Sequence, residues 1–426
     1  MDFSNGLISF CEKHDNISVY GIGNYGMMTK TVLYGCNMTI HAFVISDNQQ
    51  FECENIDQVK VFKFSEWIKE HGDDSVIVAV AEPSQNEICI QLKRAGIDSF
   101  YCVKESDIYQ RPIGILDTSI AVENHGNEII MQAVNQNLEY LFKEQFIFRL
   151  PFIDEFRGYA VKYLGRCEKV FLGGTNALNS SMDIERFIGV SSKNITQIRN
   201  KLILMGVGWC QYEEEPNEYS IELLRQILSK DKVHSVRDSY TEKKLKSIGI
   251  TNVVNTGCPT LWNMNEEFCM KIPCQKGRDA IIMLTPGDRK RDEKIVNIVV
   301  ANYEKIFFWP QGPIDYSYIK SICPNAEAIS PQLNELDNFL DTHNNIDYIG
   351  TRLHGGIRCL QHKKRAIILS VDNRAAEMGK DFNLPVLDAG DMEQLQDKIN
   401  GVIEIDIRLP KKNIDIWKNQ FKNRDI

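Results

Sequence analysis

Short apolar, largely β-branched runs alternate with amphipathic segments almost throughout the chain, and few folds are open to a chain patterned this way. Runs such as "SVIVAVA" (75–81) and "AIIML" (280–284) are apolar at consecutive positions, as strands buried on both faces must be. The segments between them suit helices that cover those faces. The pattern predicts an α/β architecture with parallel sheets.

At 426 residues the chain exceeds what one simple core organises. A first unit over 1–110 reads as strand "ISVYG", turn "GIGNYG", a helix to Gly35 and strand "TIHAFVISD", then "SVIVAVA", helix "NEICIQLKRAG" and "FYCV". A lobe over 111–274 follows, with strands in "PIGILD", "KVFLGG", "KLILMGVG", "VHSVR" and "NVVNTG". A second lobe over 275–405 carries "DAIIML", "KIFFW", "IDYIG" and "RAIILSVD", and 406–426 reads as a terminal helix. The segment "QKGRD" after Cys274 marks the hinge between the lobes. Two facing α/β lobes leave a cleft at the carboxyl ends of their strands, where such sheets bind ligands.

Composition narrows the function. A net charge of −9 argues against nucleic acid as the main partner, because phosphate backbones call for basic surfaces. The longest apolar runs are too short to cross a bilayer, and the opening residues lack a secretion signal. Twelve cysteines are scattered without a CxxC pair, which points to reduced thiols rather than a disulfide framework or a zinc site. The expected location is the cytoplasm.

Gly21, Gly23 and Gly26 follow a strand and open a helix, and Asp47 ends the next strand. That is the dinucleotide fingerprint in its proper context. It admits NAD, another nucleotide or sugar ligand, or a turn with no ligand, and no hydride-transfer residues accompany it. Asn124, Gly126 and Asn127 lie where a strand turns into a helix, suiting either a bound anion or sugar hydroxyl, or a helix cap supplied by Asn127. Gly174, Thr175 and Asn176 form a similar turn, and "MGVG" (205–208) forms a third. Arg237 ends an apolar strand, with Asp238 at a helix N-cap. The densest constellation is "TRLHGGIR". Arg352 and His354 open a helix beside a buried strand, Arg358 lies a turn further on, and Asp372 and Arg374 end the next strand. A buried cation needs an anionic partner, and an arginine fork with a nearby histidine suits a phosphate or carboxylate ligand and proton transfer.

"NHGNEIIMQAV", "FLGGTNAL", "HSVRDSYTEKKLKSIGI", "TGCPTLW" and "GTRLHGGIRCLQHKKRAIILSVDNRAAEM" resemble, in that order, the polysaccharide pyruvyl transferase family, over about residues 113–405. The resemblance implies two Rossmann-like lobes in a GT-B-like arrangement, here with a small extra Rossmann-like domain in front. It implies phosphoenolpyruvate as donor and a sugar or lipid-linked glycan of a surface polysaccharide (an exopolysaccharide, for example) as acceptor. The product is a pyruvate ketal, and neither metal nor cofactor is required. Carried over by position, Arg237, Arg352, Leu353, Gly355 and Arg374 bind the donor, with the donor supplying the anion the arginines need. His354, as a histidinium, is the general acid, and Asn124, Gly126, Asn127, Gly174, Thr175 and Asn176 face the acceptor. Asn127 stands where many members of the family carry an aspartate, so no carboxylate base is expected there. Two other readings remain: a nucleotide-sugar-dependent GT-B glycosyltransferase, and a non-catalytic sugar- or nucleotide-binding protein. A lipid-linked acceptor would require peripheral contact with a membrane, but no basic amphipathic helix announces one. The sequence does not specify the oligomeric state.

Overall fold

The computed structural model describes residues 6–51, 53–108, 111–143, 145–152, 159–185, 189–190 and 195–422. The predicted boundary at 110 and the last four residues of the predicted tail lie outside the described residues. The chain divides into two compact units, one built on Met1–Arg111 with Glu144–Phe146 and Asn423–Ile426, the other on Pro112–Lys143 and Ile147–Lys422.

The first unit is a sheet of β1 (Ile17–Tyr20), β2 (Ala42–Ile45), β3 (Asn55–Ile56), β4 (Val59–Lys63), β5 (Ser75–Val78) and β6 (Phe100–Cys102). Its order is β3-β4-β2-β1-β5-β6, parallel except for β3 against β4. The central strands β1, β2 and β5 are buried at every position, which is why their sequences run apolar without alternation. Helix α1 (Asn24–Gly35) follows β1, and α2 (Phe64–His71) follows β4. The β3–β4 hairpin was not foreseen. Its turn uses Asp57 and Gln58 at positive φ, where glycine or asparagine is the usual signal.

The second unit holds two larger parallel sheets and two short strand pairs among its described residues. The first contains β7 (Ile113–Asp117), β8 (Ile147–Pro151), β9 (Lys169–Gly173) and β11 (Leu202–Met205), in the order β11-β9-β7-β8. The short pairs β10 (Asn176–Leu178) with β12 (Gly208–Trp209), and β13 (His234–Val236) with β14 (Val253–Asn255), complete this lobe. Backbone bonds from Gly206 N–H to Ser235 O (2.9 Å) and from Arg237 N–H to Val207 O (3.0 Å) lay β13 beside the chain leaving β11. Helix α3 (Gly126–Leu141) covers one face, and α4 (Ser239–Ser247) follows β13.

The other lobe is a six-stranded sheet of β15 (Asp279–Met283), β16 (Ile306–Phe308), β17 (Glu327–Ala328), β18 (Ile346–Gly350), β19 (Ala366–Ser370) and β20 (Val386–Asp388). Its order, β17-β16-β15-β18-β19-β20, is the doubly wound Rossmann order with the switch point between β15 and β18. Helices α5 (Asp315–Ile322), α6 (Leu333–Thr342), α7 (Leu353–Gln361) and α8 (Asn373–Phe382) connect its strands. The chain then returns to the first lobe through α9 (Lys411–Asn419). There Trp417 and Ile414 enter the core with Phe171 and Trp262, and Trp417 Nε1 donates to Leu204 O (3.1 Å). Among the described residues, no helix is long and apolar enough to cross a membrane.

Candidate active site

Within the second unit, the residues just past the carboxyl ends of eight parallel strands, Phe152 after β8 among them, line one cleft of about 240 Å³. Thr118 follows β7, Gly174, Thr175 and Asn176 follow or begin the turn after β9, and Arg237 follows β13. Across from them, Thr285 follows β15, Gln311 follows β16, Thr351 to His354 follow β18, and Arg374 follows β19. Asn124, Gly126, Asn127 and Ile130, at and near the start of α3, close one side. Every predicted donor- and acceptor-side residue therefore reaches this cleft except Gly355. That glycine is turned inward, and a Cβ there would lie 2.4 Å from Met283 Sδ. It lets α7 approach β15 and does not touch the cleft.

Each arginine already has a carboxylate partner, which corrects the expectation that the donor alone supplies the anion. Arg352, the N-cap residue of α7, pairs with Asp315 (2.5 Å), whose other oxygen accepts from the backbone N–H groups of Gln311 and Gly312. Arg374 grips Asp372 through two nitrogens, at 3.0 and 2.5 Å. Arg237, only 1% exposed, lies 3.5 Å from Asp238 and donates through Nη2 to Asn176 Oδ1. Three arginines against three aspartates leave the site near neutrality, which is how the fully buried Arg237 and the mostly buried Arg352 are tolerated. The balance is incomplete in hydrogen bonds, however. Arg237 Nε and Asp238 Oδ2 face each other at 3.5 Å without a hydrogen bond, and the buried Arg352 Nε and Gln311 Oε1 make no hydrogen bond either. Two of these atoms are donors and two are acceptors, so the wall suits a ligand that carries both kinds of group. Arg365 also has an unpartnered Nε, but it is locked to Asp347 in the core of the second lobe, away from the cleft.

Arg237 reaches this position because Gly208 lies beneath it. A Cβ on that glycine would stand 2.0 Å from the Arg237 guanidinium, so no other residue leaves room for the close approach.

His354 is buried in the first turn of α7, with Cys258 Sγ 3.6 Å from Nε2. Burial first, then the charges of Arg237 and Arg374, drive its pKa down to about 3, against a smaller opposing effect of Asp372. The resting imidazole is therefore neutral, which corrects the expectation of a standing histidinium. Burial likewise raises the Cys258 thiol, so the pair is a neutral thiol beside a neutral imidazole. For Asp372, burial works upward, but the Arg374 guanidinium and then Arg237 hold the carboxyl below its usual range.

Other predicted residues fall differently. Arg358 points away from the cleft and grips Asp337 on α6 at 2.7 and 2.5 Å. The cap at the start of α3 is made by Asn124, whose Oδ1 accepts from Gly126 N–H (3.0 Å) and Gln311 Nε2 (2.9 Å). Asn127 lies within the helix and is free to face the cleft. Gln311 and Asp315 were missed by the sequence reading, since in "WPQGPID" they look like ordinary turn residues. The rule that residues just past parallel strands face the ligand would have selected Gln311.

In the first unit, Gly21, Gly23 and Gly26 gather at the carboxyl end of β1, the switch point of that sheet. Gly21 takes φ of +113°, and its Cβ would meet Ala79 O at 2.6 Å, so the turn is one only glycine makes. Asp47 already accepts Ser65 N–H (2.9 Å) at the start of α2, a helix-capping use that competes with holding a ribose.

A family model described as polysaccharide pyruvyl transferase matches residues 124–373, more than half of the chain. No curated protein sequence matches it. A solved structure of UDP-GlcNAc 2-epimerase from Neisseria meningitidis bound to UDP-GlcNAc is similar over 95% of this chain and 98% of that chain, at 11% identity. Its TM-score of 0.31 is too low to carry an argument about fold or ligand.

Proposed function

We propose, for a chain that belongs to the polysaccharide pyruvyl transferase family, that the cleft of the second unit transfers a pyruvyl group from phosphoenolpyruvate to two hydroxyls of a sugar, forming a ketal. The observation that carries this reading is a cleft lined together by Arg237, Arg352, Arg374 and His354, with the buried Arg352 Nε–H left without a hydrogen bond. A donor with a phosphate and a carboxylate supplies anionic acceptors to such a wall.

The donor also charges the histidine. A unit negative charge about 4 Å away is worth ~4 kcal/mol at an effective dielectric of 20, or about three pKa units. That is comparable with the depression of His354 to about 3. Binding the anion thus offsets the arginines, and His354 takes up a proton only when there is a substrate to receive it. The imidazolium gives that proton to C3 of the enol, making a methyl group and leaving C2 electrophilic. One acceptor hydroxyl adds to C2, the C2–O bond to phosphate breaks, and the second hydroxyl closes the ketal. Of the two hydroxyl protons released, one restores the imidazolium and one leaves with phosphate, while Arg237 and Arg352 stabilise the departing charge. Asn127, Thr175 and Asn176 offer amide and hydroxyl groups to the acceptor.

The test is thermal unfolding with phosphoenolpyruvate or UDP, alongside Arg352→Ala, and calorimetry of donor binding in buffers of different ionisation enthalpy. The proposal expects stabilisation by phosphoenolpyruvate that the variant loses, with net proton uptake that His354→Gln abolishes. Stabilisation by UDP alone would overturn it in favour of the glycosyltransferase reading.

A further inference from the structure

We propose that His41, His71 and Asp74, in the first unit, form a site for a divalent transition-metal ion of the zinc type, with a fourth coordination position open to water. The inference is separate from the transfer reaction and rests on none of the cleft residues.

The three side chains are far apart in sequence and meet at the amino-terminal edge of the first sheet. His41 immediately precedes β2, His71 ends α2, and Asp74 immediately precedes β5. Their ligand atoms all lie within 4.8 Å of one another. His41 Nδ1 is 3.0 Å from Asp74 Oδ2 and 3.1 Å from Oδ1, and His71 Nδ1 is 3.7 Å from Oδ2. A tetrahedral zinc with bonds of about 2.0–2.2 Å separates its ligand atoms by roughly 3.3 Å, so the observed spacings bracket what an ion needs. The two imidazole rings lie 4.6 Å apart at 87°. The rings meet edge to face and are not stacked.

The surroundings hold this arrangement in place. Asp74 is 4% exposed, and its Oδ2 accepts from Ser18 Oγ (2.6 Å), which in turn accepts from Trp67 Nε1 (3.0 Å). A hydrogen-bonded carboxylate backed by a buried indole is the outer support that metal ligands carry. The Phe62 ring stands edge-on to His71 at 4.9 Å, and His41 N–H is tied to Ile17 O (2.8 Å) on β1. The alternative is an ordinary ion pair. An ion pair needs one histidine, whereas here two imidazoles share one buried carboxylate, and an ion between them satisfies all three. Two histidines and one carboxylate are a donor set that zinc accepts, and a three-residue site keeps a position for water. Of the three, only His41 is widely exposed, at 46% of its side chain, so the open position faces solvent on its side.

The test uses the full chain, freed of metal with chelator under reducing conditions and titrated with zinc, with His41→Ala and His71→Gln treated identically. The twelve cysteines are common to all three proteins, so the difference between them isolates this site. The expected result is one more zinc per chain in the parent than in either variant. Cobalt should likewise give a visible ligand-field band in the parent only, without the sulfur-to-metal absorption that thiolate ligands bring. His41 is exposed, so its removal leaves the core untouched, and circular dichroism verifies folding in each protein. Equal zinc stoichiometry in all three folded proteins, or a difference spectrum dominated by thiolate, would overturn the proposal.

Discussion

At the scale of single residues, two buried histidines make the chain sensitive to acid. His234 accepts Leu204 N–H at Nδ1 and donates from Nε2 to Ser229 O, so both nitrogens are used by the neutral ring. Burial lowers its pKa to about 4, with the bond to Ser229 opposing. His354 lies lower still, at about 3. In the unfolded chain both take a proton near pH 6.5. As the pH falls from there toward 3, the unfolded state binds protons that the folded state refuses, and stability drops by up to about 1.4 kcal/mol per pH unit for each ring. Above pH 6.5 neither contributes. Urea denaturation from pH 7 to pH 4 is therefore expected to show a shallower loss in His354→Gln than in the parent, by one proton's worth of slope. Identical slopes would mean that His354 is not held neutral.

At the scale of elements, hydrogen bonds between helices of opposite lobes add to the apolar core the lobes share in setting the separation of the two cleft walls. Asp381 on α8 accepts Ser239 N–H (2.5 Å) and Ser239 Oγ–H (2.8 Å) at the start of α4, and Asn255 Nδ2–H (2.9 Å) at the end of β14. Helix α4 begins just after Arg237 and Asp238, and α8 begins beside Arg374, so this carboxylate contributes to how far apart those arginines stand. Hydrogen bonds to a charged group are worth about 1.5–3 kcal/mol each before relaxation. Asp381→Ala is expected to lower stability by about 2–3 kcal/mol and to weaken stabilisation by phosphoenolpyruvate more than that loss alone requires. Full donor response in a destabilised variant would show that the clamp serves folding only.

The same scale shows what the sequence made legible. The central strands were readable because burial on both faces forces continuous apolar runs, as in β5, β15 and β19. Edge strand β8 was not, because "IFRLP" carries Arg149 mid-strand and ends in proline. Arg237, Arg352 and His354 stood out as polar residues at the ends of apolar strands, and all three line the cleft. Their aspartate partners did not all stand out, since Asp315 reaches Arg352 only through tertiary folding. The assembly of His41, His71 and Asp74 was invisible for the same reason: no short spacing joins residues that precede one strand, end a helix and precede another.

At the scale of the whole molecule, each unit has its own cores. The clusters around Val19 and Phe43, and around Tyr20 and Trp67, are built from residues of the first unit alone, and those of the second unit begin at Ile113. All residues lining the cleft fall between Thr118 and Arg374, within the second unit. The C-terminal helix α9 reinforces that unit by returning from the second lobe to fill the first, with Asn413 Nδ2 donating to Asn255 O (2.8 Å) and Gln420 Nε2 to Val233 O (2.9 Å). The site thus has its walls, its arginine–aspartate pairs and its closing helix in one cooperative body. A chain that starts at Pro112 is therefore expected to fold and to keep the thermal stabilisation by phosphoenolpyruvate seen with the full chain. It should lose the zinc equivalent assigned to His41, His71 and Asp74. Scanning calorimetry of both proteins, with donor and with zinc in separate runs, makes the comparison. A truncated chain that folds but no longer responds to phosphoenolpyruvate would mean that the first unit takes part in donor binding, and the glycine turn at Gly21 to Gly26 would be the place to look.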